Sequence, residues 1–370
     1  MRDKAAREHR EPMLHVVKRT ELSAGKAWMV RGITILIGIL LAGVLSVLLT
    51  GRSFAKVYED MFLGAFGRIL NGKFDQFFSY LRDVAILLCL SLALSPAFKM
   101  KFWNCGAEGQ ALIGGLASLF LMINLGGKVA EWFLIILVVL AGLLAGALWG
   151  IIPAFFKAKW NTNETLFTLM MNYIATQIVA YYVYLVGGGS NVIHPVQTGA
   201  LPRLGGSKYF LPILVVFALM FVVSIYLKKS KQGYEVSVVG ESQNTARYIG
   251  INVKKVILRT MAISGAICGL AGVLLVAGIS QSIDTNTVGG EGFTAIMVCW
   301  LGQLSPYAIA GMSALVVFLE LGMGKVADSA FLDGSWGSII SGIIILMLVG
   351  CEFFIRYSIR VRRTKKEEKA

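Results

Sequence analysis

Eight stretches of this chain contain no charged residue, and each is about as long as a helix that crosses the hydrocarbon core of a bilayer. Hydrophobic residues make up 56% of the 370 positions and charged residues only 15%, which lies outside the range of soluble domains. In lipid, backbone polar groups must bond within their own segment, which favours helices. The sequence therefore predicts an all-α, polytopic transmembrane helix bundle. The charge-free stretches are 32–51, 109–127, 132–156, 165–202, 209–227, 260–283, 292–319 and 334–351.

The number of spans depends on two further stretches. A shorter run, 84–98, crosses the membrane if Lys99 and Lys101 extend their ammonium groups to the surface. The run 292–319 holds two spans if Pro306 breaks it. We predict about ten spans, with eight as the alternative.

The distribution of lysine and arginine predicts the orientation, because short loops rich in these residues stay in the cytoplasm. Eight of them lie in residues 1–31 and seven in 356–370. Both termini are therefore expected in the cytoplasm, with an even number of spans. This divides the chain into a basic tail at 1–28, a transmembrane domain at 29–355 and a basic tail at 356–370. The net charge of +14 follows from this topology, so no nucleic-acid partner is expected.

The sequence carries no pattern typical of metal or redox chemistry. Its cysteines are scattered without a CxxC pair, and no histidine lies near them, so we expect no metal site and no cofactor. We interpret the cysteines as small apolar residues. They are Cys89, Cys105, Cys268, Cys299 and Cys351, and the histidines are His9, His15 and His194.

Motifs for ATP hydrolysis and ion conduction are also missing. The sequence has no GxxxxGK[ST] phosphate loop, and its nearest segment, 322–326, lacks the first glycine and ends in valine. It has no regular arginine series and no TVGYG-like filter, which argues against an ion channel. We expect a transport subunit without its own ATPase site, and not an enzyme.

The longest internal polar stretch, 228–259, lies between two spans on the predicted cytoplasmic side. Ala246 and Ile249 fall on one helical face there, and Gly250 can end a short helix. An amphipathic helix of this kind can dock into a groove of a soluble partner. A solvated linker is the alternative from pattern alone.

Four segments resemble motifs of ABC permeases in the branched-chain amino acid and simple-sugar superfamily. Phe102–Gln110 reads FWNCGAEGQ and resembles the motif FNIGAEGQ, and Asn163–Ala175 reads NETLFTLMMNYIA and resembles NEVISTLMLNYIA. Residues 241–251 resemble the GENPEAARYAGI coupling segment, and 289–306 resemble GGYGFxAIAVALLGxxxP. Together the segments cover most of residues 60–350 in family order.

Within this superfamily, the GAEGQ and TLMMNYIA segments are most similar to nucleoside-type permeases that work with lipid-anchored basic-membrane-protein receptors. The sequence departs from the family pattern at Cys105, where isoleucine is usual. It also departs at Cys299 and Trp300, where two small or aliphatic residues are usual. Trp300 bears on the identity of the substrate rather than on the family.

The resemblance implies the permease subunit of an ATP-driven ABC importer for nucleosides in the bacterial inner membrane, working by alternating access. Its implied partners are ABC ATPase subunits, a second permease subunit in a heterodimer and an extracytoplasmic substrate-binding lipoprotein. A sugar permease (ribose- or galactose-like) or a branched-chain amino acid permease is the alternative, and an ion-coupled secondary transporter is a weaker one. The ATPase-coupling loop is then 228–256, with contacts at Glu241, Asn244, Ala246, Arg247 and Gly250.

Polar residues beside or within the apolar runs are candidates for the solute path. Glu108 and Glu291 each precede an apolar helix whose N–H groups and dipole can stabilise a carboxylate, and helix starts near the membrane surface are the alternative. Asn172, Tyr173 and Gln177 share roughly one helical face, which either lines the path or packs against other helices. The full candidate set is Asn104, Glu108, Gln110, Asn172, Tyr173, Gln177 and Glu291.

The pattern Gly-X-Glu-Gly occurs twice, at 106–109 and at 289–292, each time before an apolar helix. In a ten-span topology these two helices run in opposite directions. That arrangement is typical of two inverted five-helix halves whose interrupted helices meet at a central solute site. Chance is the alternative, because the chain contains 41 glycines.

Glycine recurs every four residues at Gly142, Gly146 and Gly150, and again at Gly265 and Gly269. Small residues one helical turn apart let two helix backbones approach closely. We predict close helix packing at both steps.

Two segments are expected on the outer side of the membrane. The segment 52–83 mixes aromatic and charged residues, which predicts an interfacial helix outside the membrane. With 187–209 it forms the docking surface for the receptor that the resemblance implies.

Overall fold

The computed structural model describes residues 14–18, 24–67, 74–189 and 192–361. Within them it has thirteen α-helices, a π-helical segment at Leu274–Ser280 and one pair of short strands. The helices are α1 Ala24–Thr50, α2 Phe54–Phe66, α3 Asp75–Lys99, α4 Ala107–Leu125, α5 Glu131–Trp160, α6 Glu164–Val186, α7 Phe210–Lys229, α8 Lys231–Glu241, α9 Gln243–Tyr248, α10 Val253–Val273, α11 Glu291–Leu301, α12 Pro306–Ser329 and α13 Gly334–Arg356.

The two strands are β1 (Leu14–Lys18) and β2 (Tyr357–Val361), which pair antiparallel. They lie in the segments predicted as basic tails. Both segments contain adjacent or alternating β-branched residues, which favour extended backbone. Apart from this pair the described residues confirm the predicted all-α bundle, and the tail boundaries themselves stay a prediction.

Eight helices in the described part of the chain are long and apolar enough to cross a membrane. This number agrees with the alternative count from the sequence, and the count of ten is not confirmed. The eight candidates are Met29–Leu48, Asp75–Lys99, Ala107–Leu125, Glu131–Trp160, Glu164–Val186, Phe210–Lys229, Val253–Ser280 and Pro306–Ser329.

The length of α11 gives no support to the predicted inverted repeat. The run 292–319 is divided as expected, with α12 beginning at Pro306. However, α11 has only 11 residues and is about 16 Å long, roughly half the thickness of the hydrocarbon core. The full span that was predicted to begin at Glu291 is therefore not formed, and the division into five plus five spans is not supported.

The segment 52–83 is also divided, instead of forming one interfacial helix. The 13-residue α2 covers 54–66, and α3 begins at Asp75 and continues as a candidate span. Residues 68–73 lie outside the described part of the chain. The predicted receptor-docking role of this segment stays a prediction.

Contacts divide the chain into two units, of which the first comprises 1–60 and 326–370. In this unit α1 packs along α13, and the Tyr58 hydroxyl donates to the Ile39 carbonyl at 3.2 Å. The buried Asp60 carboxylate accepts from the Arg52 guanidinium at 3.1 Å and from the Ser329 hydroxyl at 2.7 Å. The negative charge of the buried Asp60 carboxylate is therefore balanced by a guanidinium and stabilised by a hydroxyl.

The second unit, 61–325, is built around α3, in which every residue from Val84 to Phe98 is buried. α3 contacts α7, α8, α10 and α11, so it lies at the centre of this unit. Its burial explains how the short apolar run 84–98 forms part of a span. At its C-terminal end, the Lys99 ammonium donates to the Leu227 carbonyl oxygen at 3.3 Å.

Helices α4, α5 and α10 meet through glycines, which confirms the predicted close packing. A Cβ on Gly114 would lie 2.5 Å from Gly269 Cα, and one on Gly146 would lie 2.7 Å from the same atom. Gly146 and Gly265 face each other, and a Cβ on either would overlap the carbonyl oxygen of the other. Since the obstructing atoms belong to the backbone, any side chain here forces the helices apart.

We expect Gly146→Ala to destabilise the folded protein, because overfilling a packed interface costs about 1 to 3 kcal/mol. Gly311→Ala on α12 is the matched control, since no atom lies within 4 Å of its Cβ position. Alanine is the better helix former, so the control should be neutral or slightly stabilising. Thermal unfolding of the detergent-purified variants measures the difference, and equal shifts would contradict the glycine contact.

Candidate functional site

The loop at 100–106, between α3 and α4, is organised by the fully buried side chain of Asn104. Its Oδ1 accepts from the Gly106 amide and from Gln110 Nε2, both at 3.1 Å. Its Nδ2 donates to Ser264 Oγ of α10 at 3.1 Å and to Gln110 Oε1 at 3.3 Å. Asn104 and Gln110, predicted for the solute path, thus satisfy each other in a buried network. Whether either contacts solute stays a prediction.

Asn172 on α6 holds the first turn of α4. Its Oδ1 accepts from the Gly109 amide at 2.9 Å, and its Nδ2 donates to the Cys105 carbonyl at 2.8 Å. One turn earlier on α6, the Thr168 hydroxyl accepts from the Cys105 amide at 3.1 Å. A Cβ on Gly109 would lie 2.9 Å from Asn172 Oδ1, so glycine is needed here. Sequence reasoning missed Thr168, although its four-residue spacing from Asn172 places both on one helical face.

Glu108 lies in the first turn of α4, and its carboxylate caps a different helix, α11. Oε1 accepts from the Gly290 amide at 2.9 Å, and Oε2 accepts from the Gly292 amide at 2.8 Å. A Cβ on Gly292 would lie 2.6 Å from the Glu108 amide nitrogen, and Gly290 has a φ of +83°. We call this contact between the N-termini of α4 and α11 the interrupted-helix junction. The predicted stabilisation by backbone N–H groups and a helix dipole is present, but it acts between helices.

Glu291 is the second glutamate at the junction, in the first turn of α11. Its Oε2 is buried and has no hydrogen-bond partner among the described residues. The charged side chains that interact with it electrostatically are Asp83, Glu320, Glu108 and Arg82. Arg82 is already paired with Asp83 at 2.6 Å. The junction is therefore rich in carboxylates, and among the described residues no group of His, Cys, Asp and Glu is placed to hold a metal ion.

The structure separates the three residues of α6 that were predicted to share one face. Asn172 is buried toward α4, whereas Tyr173 is 67% exposed and Gln177 is also exposed. Adjacent helical residues point about 100° apart, so the packing of α6 against α4 decides which of them turns inward. The structure brings Asn172 to the junction and leaves Tyr173 and Gln177 on the outer surface of this chain.

The predicted coupling loop, 228–256, contains two helices, α8 and α9. We call them the cytoplasmic helix pair, after the side of the membrane on which they are predicted to lie. Ser230 caps α8 by accepting from the Gly233 amide at 2.8 Å, and Ser242 caps α9 by accepting from Thr245 at 3.2 Å. Gly250, with a φ of +84°, follows the end of α9 as predicted. The short helix expected here is confirmed.

The predicted apolar face of α9 is divided between the protein interior and solvent. Ala246 is fully buried within the protein, while Ile249 is exposed and Tyr248 is 94% exposed. Ala246 turns inward because the end of α3 and the first turns of α10 offer an apolar surface there. Its buried cluster comprises Ala97, Met100, Phe102, Ala154, Val236, Val239, Val253, Val256, Ile257 and Met261. The other predicted coupling residues, Glu241, Asn244, Arg247 and Gly250, are exposed.

The cytoplasmic helix pair touches the α3–α4 loop directly. A Cβ on Gly240 of α8 would lie 3.2 Å from Met100 Cα and would overlap the Lys99 carbonyl oxygen. Glu235 of α8 also pairs with Arg259 of α10 at 2.9 Å. Backbone contact and an ion pair thus fix the helix pair to the two elements that organise the junction.

Comparison with known proteins gives the class of this chain. Residues 76–349 match the family described as branched-chain amino acid transport system / permease component, and the chain belongs to this family. With eight candidate spans, it is a multi-pass inner-membrane permease subunit of the ABC transporter class. A transport subunit of this class works with separate ATPase and substrate-binding proteins. The family gives no support to the ion-coupled alternative.

Particular relatives are similar along most of their length. The chain is 29% identical over 340 residues to the guanosine ABC transporter permease protein NupP of Bacillus subtilis strain 168, covering 88% of this chain and 93% of that protein. It is 29% identical over 357 residues to the glucose ABC transporter permease protein TsgB13 of Haloferax volcanii, covering 90% and 91%. It is 26% identical over 306 residues to the nucleoside ABC transporter permease protein NupB of Lactococcus lactis, covering 78% and 82%.

We expect Glu108→Ala to loosen α11, because the first amides of that helix lose their acceptor. Removing a helix N-cap costs about 0.5 to 2 kcal/mol, which corresponds to a roughly tenfold rise in local opening. Cys299, buried on α11, is the reporter: maleimide labelling should accelerate in a background that lacks the other cysteines. Glu241→Ala, on the exposed end of α8, is the control. An unchanged labelling rate in Glu108→Ala would contradict the cap.

Proposed function

We propose that this chain is the membrane-spanning permease subunit of an ATP-driven importer for nucleosides. The observation that carries the choice of substrate is the similarity to NupP across 88% of the chain. The segments GAEGQ and TLMMNYIA, which resemble nucleoside-type permeases, support the same choice and lie at the interrupted-helix junction. An uncharged, hydrogen-bonding solute suits a junction whose carboxylates include an oxygen of Glu291 without a partner.

The proposed mechanism is alternating access driven by ATPase subunits that bind the cytoplasmic helix pair. Movement of α8 and α9 passes to Met100 and Phe102, since all belong to one buried cluster. Two residues further on, Asn104 bonds Gln110 of α4, and Glu108 holds α11. This continuous series of packed and bonded residues links the ATPase-facing surface to the junction. The conformational change that follows ATP binding therefore moves the ATPase-facing surface and the junction together.

The proposed partners bind opposite sides of the membrane. ATPase subunits bind the exposed rim of the cytoplasmic helix pair at Glu241, Asn244, Arg247 and Gly250. A substrate-binding lipoprotein delivers solute at the outer loop 187–209. A second, different permease subunit completes the transporter as a heterodimer, and a homodimer is the alternative. The exposed residues Tyr173 and Gln177 of α6 are proposed to face the solute path in that assembly.

A sugar importer is the second candidate function. The observation that favours it is the similarity to TsgB13, which equals that to NupP in identity and covers 90% of this chain. Guanosine and glucose both carry neighbouring hydroxyl groups, so one set of acceptors at the junction can serve either. Nucleoside import and sugar import differ in one respect: only a nucleoside carries a nucleobase from which the transporter can gain affinity.

Competition for uptake tests the choice of substrate. In cells that express the complete transporter, an excess of unlabelled nucleoside should abolish uptake of radiolabelled guanosine, while glucose and leucine should leave it unchanged. Uptake should also require a functional ATPase subunit and survive collapse of the proton gradient. Competition by glucose, with no effect of nucleosides, would replace the nucleoside function by the sugar function.

We expect Arg247→Glu to reduce ATP-driven uptake at least about tenfold, because a charge reversal at the centre of an interface costs about 2 kcal/mol or more. The amount of inserted protein should not change, since this side chain is exposed. Lys128→Glu is the matched control, because Lys128 is also exposed but lies in the loop between α4 and α5, outside the proposed docking surfaces. Equal uptake by both variants would refute the docking role of the helix pair.

A further inference from the structure

Two tryptophans stack at the inner end of the interrupted-helix junction. The rings of Trp103, in the α3–α4 loop, and Trp300, on α11, lie 5.4 Å apart with an angle of 21° between their planes. Phe98 at the end of α3 packs against both rings, at 5.8 Å from Trp103 and 5.9 Å from Trp300. The three rings form one aromatic cluster that joins α3, the loop and α11.

This cluster lies close to the contact that Glu108 makes between α4 and α11. Trp300 follows Gly292 by eight residues, so it lies about 12 Å further along α11. Trp103 lies in the same loop that leads to Glu108. The α3–α4 loop and the start of α4 therefore contact α11 at two levels, a polar one at Glu108 and an aromatic one at Trp103 and Trp300. Because Lys99 and Lys101 flank this loop, the aromatic level lies toward the cytoplasm.

The two indoles are only partly satisfied by the protein. Trp103 remains 45% exposed although it stacks on Trp300, so part of its ring system is accessible to a further partner. The Trp300 indole N–H is buried without an acceptor among the described residues. Buried indole groups usually find a hydrogen-bond acceptor, since leaving one unpaired is unfavourable. An open aromatic surface beside an unpaired donor suits a ligand that has an aromatic ring and an acceptor at its edge.

We propose that Trp103 and Trp300 form a stacking station for the base of a nucleoside that leaves the junction toward the cytoplasm. The proposal rests on the proposed nucleoside function and deepens it, since it names the residues that distinguish a nucleoside from a free sugar. The base stacks on the open side of Trp103, which Trp300 and Phe98 hold in place. A ring acceptor of the base takes the Trp300 N–H when α11 moves. Stacking is tolerant of base identity, because every base has an aromatic face.

Stacking on one aromatic residue changes affinity for a base by about tenfold or more, and a sugar without a base gains nothing. Trp103→Leu should therefore lower guanosine uptake about tenfold in cells that express the complete transporter. Trp103→Phe should retain most uptake, since an aromatic ring is still present. Trp132→Leu is the matched control, because Trp132 is 67% exposed at the first turn of α5.

Fluorescence gives a second measurement that does not depend on transport. Guanosine should quench the tryptophan emission of the purified transporter, and ribose should not. The quenching should be lost in Trp103→Leu and kept in Trp132→Leu. If Trp103→Leu does not assemble, Trp300→Phe serves instead, since it keeps the packing and removes the indole N–H; its guanosine uptake should fall.

The outcomes separate this proposal from the function on which it rests. Normal guanosine uptake and quenching in Trp103→Leu would overturn the stacking station and leave the nucleoside function intact; Trp103 would then be a membrane-interface residue. Unchanged guanosine uptake in Trp300→Phe would also overturn it. Wild-type transporter that takes up glucose but no guanosine would overturn the nucleoside function, and the station with it.

Discussion

The structure of the second unit depends on one interaction, the capping of α11 by the Glu108 carboxylate. A charged side chain within a membrane helix costs about 2.5 to 3.5 kcal/mol, and the first amides of any helix lack intrahelical acceptors. The Glu108 carboxylate and the first amides of α11 stabilise each other, because Glu108 accepts hydrogen bonds from the Gly290 and Gly292 amides. The two helix N-termini are thereby held together, and neither helix can move away without exposing a charge and two amides.

The irregular backbone before α4 is stable because its polar groups are bonded within the protein. Non-helical backbone within a membrane is tolerated only where it is buried in protein or faces water. The loop before α4 meets that condition, since Asn104 and Asn172 bond its amides and carbonyls. The glycine contacts between α4, α5 and α10 supply a close-packed frame behind the loop. An interrupted helix is thus held rigidly, as an element that transmits movement needs to be.

Some residues of the cytoplasmic helix pair are buried against this frame, and others are exposed to solvent. Ala246 is buried with Met100 and Phe102, and Arg247 and Tyr248 beside it are exposed. The buried residue fixes the pair to the loop, and the exposed ones are free to bind a partner. In the proposed mechanism, movement applied to this surface reaches the loop through the buried cluster, and through the loop it reaches Glu108 and the stacked tryptophans.

The sequence by itself determined the class of protein, most of the helix positions and the end of α9 at Gly250, because charge is excluded from lipid and a glycine beside polar residues readily adopts the left-handed backbone that ends a helix. The glycine steps also predicted close helix packing, and the structure showed that α5 and α10 pack against each other through them. Only the tertiary structure decided that α11 is too short to span, that Glu108 caps α11 and not its own helix, and that Asn172 turns inward while Tyr173 stays exposed. These outcomes depend on which helix lies opposite each residue, and helical periodicity identifies the faces of a helix but not its neighbours.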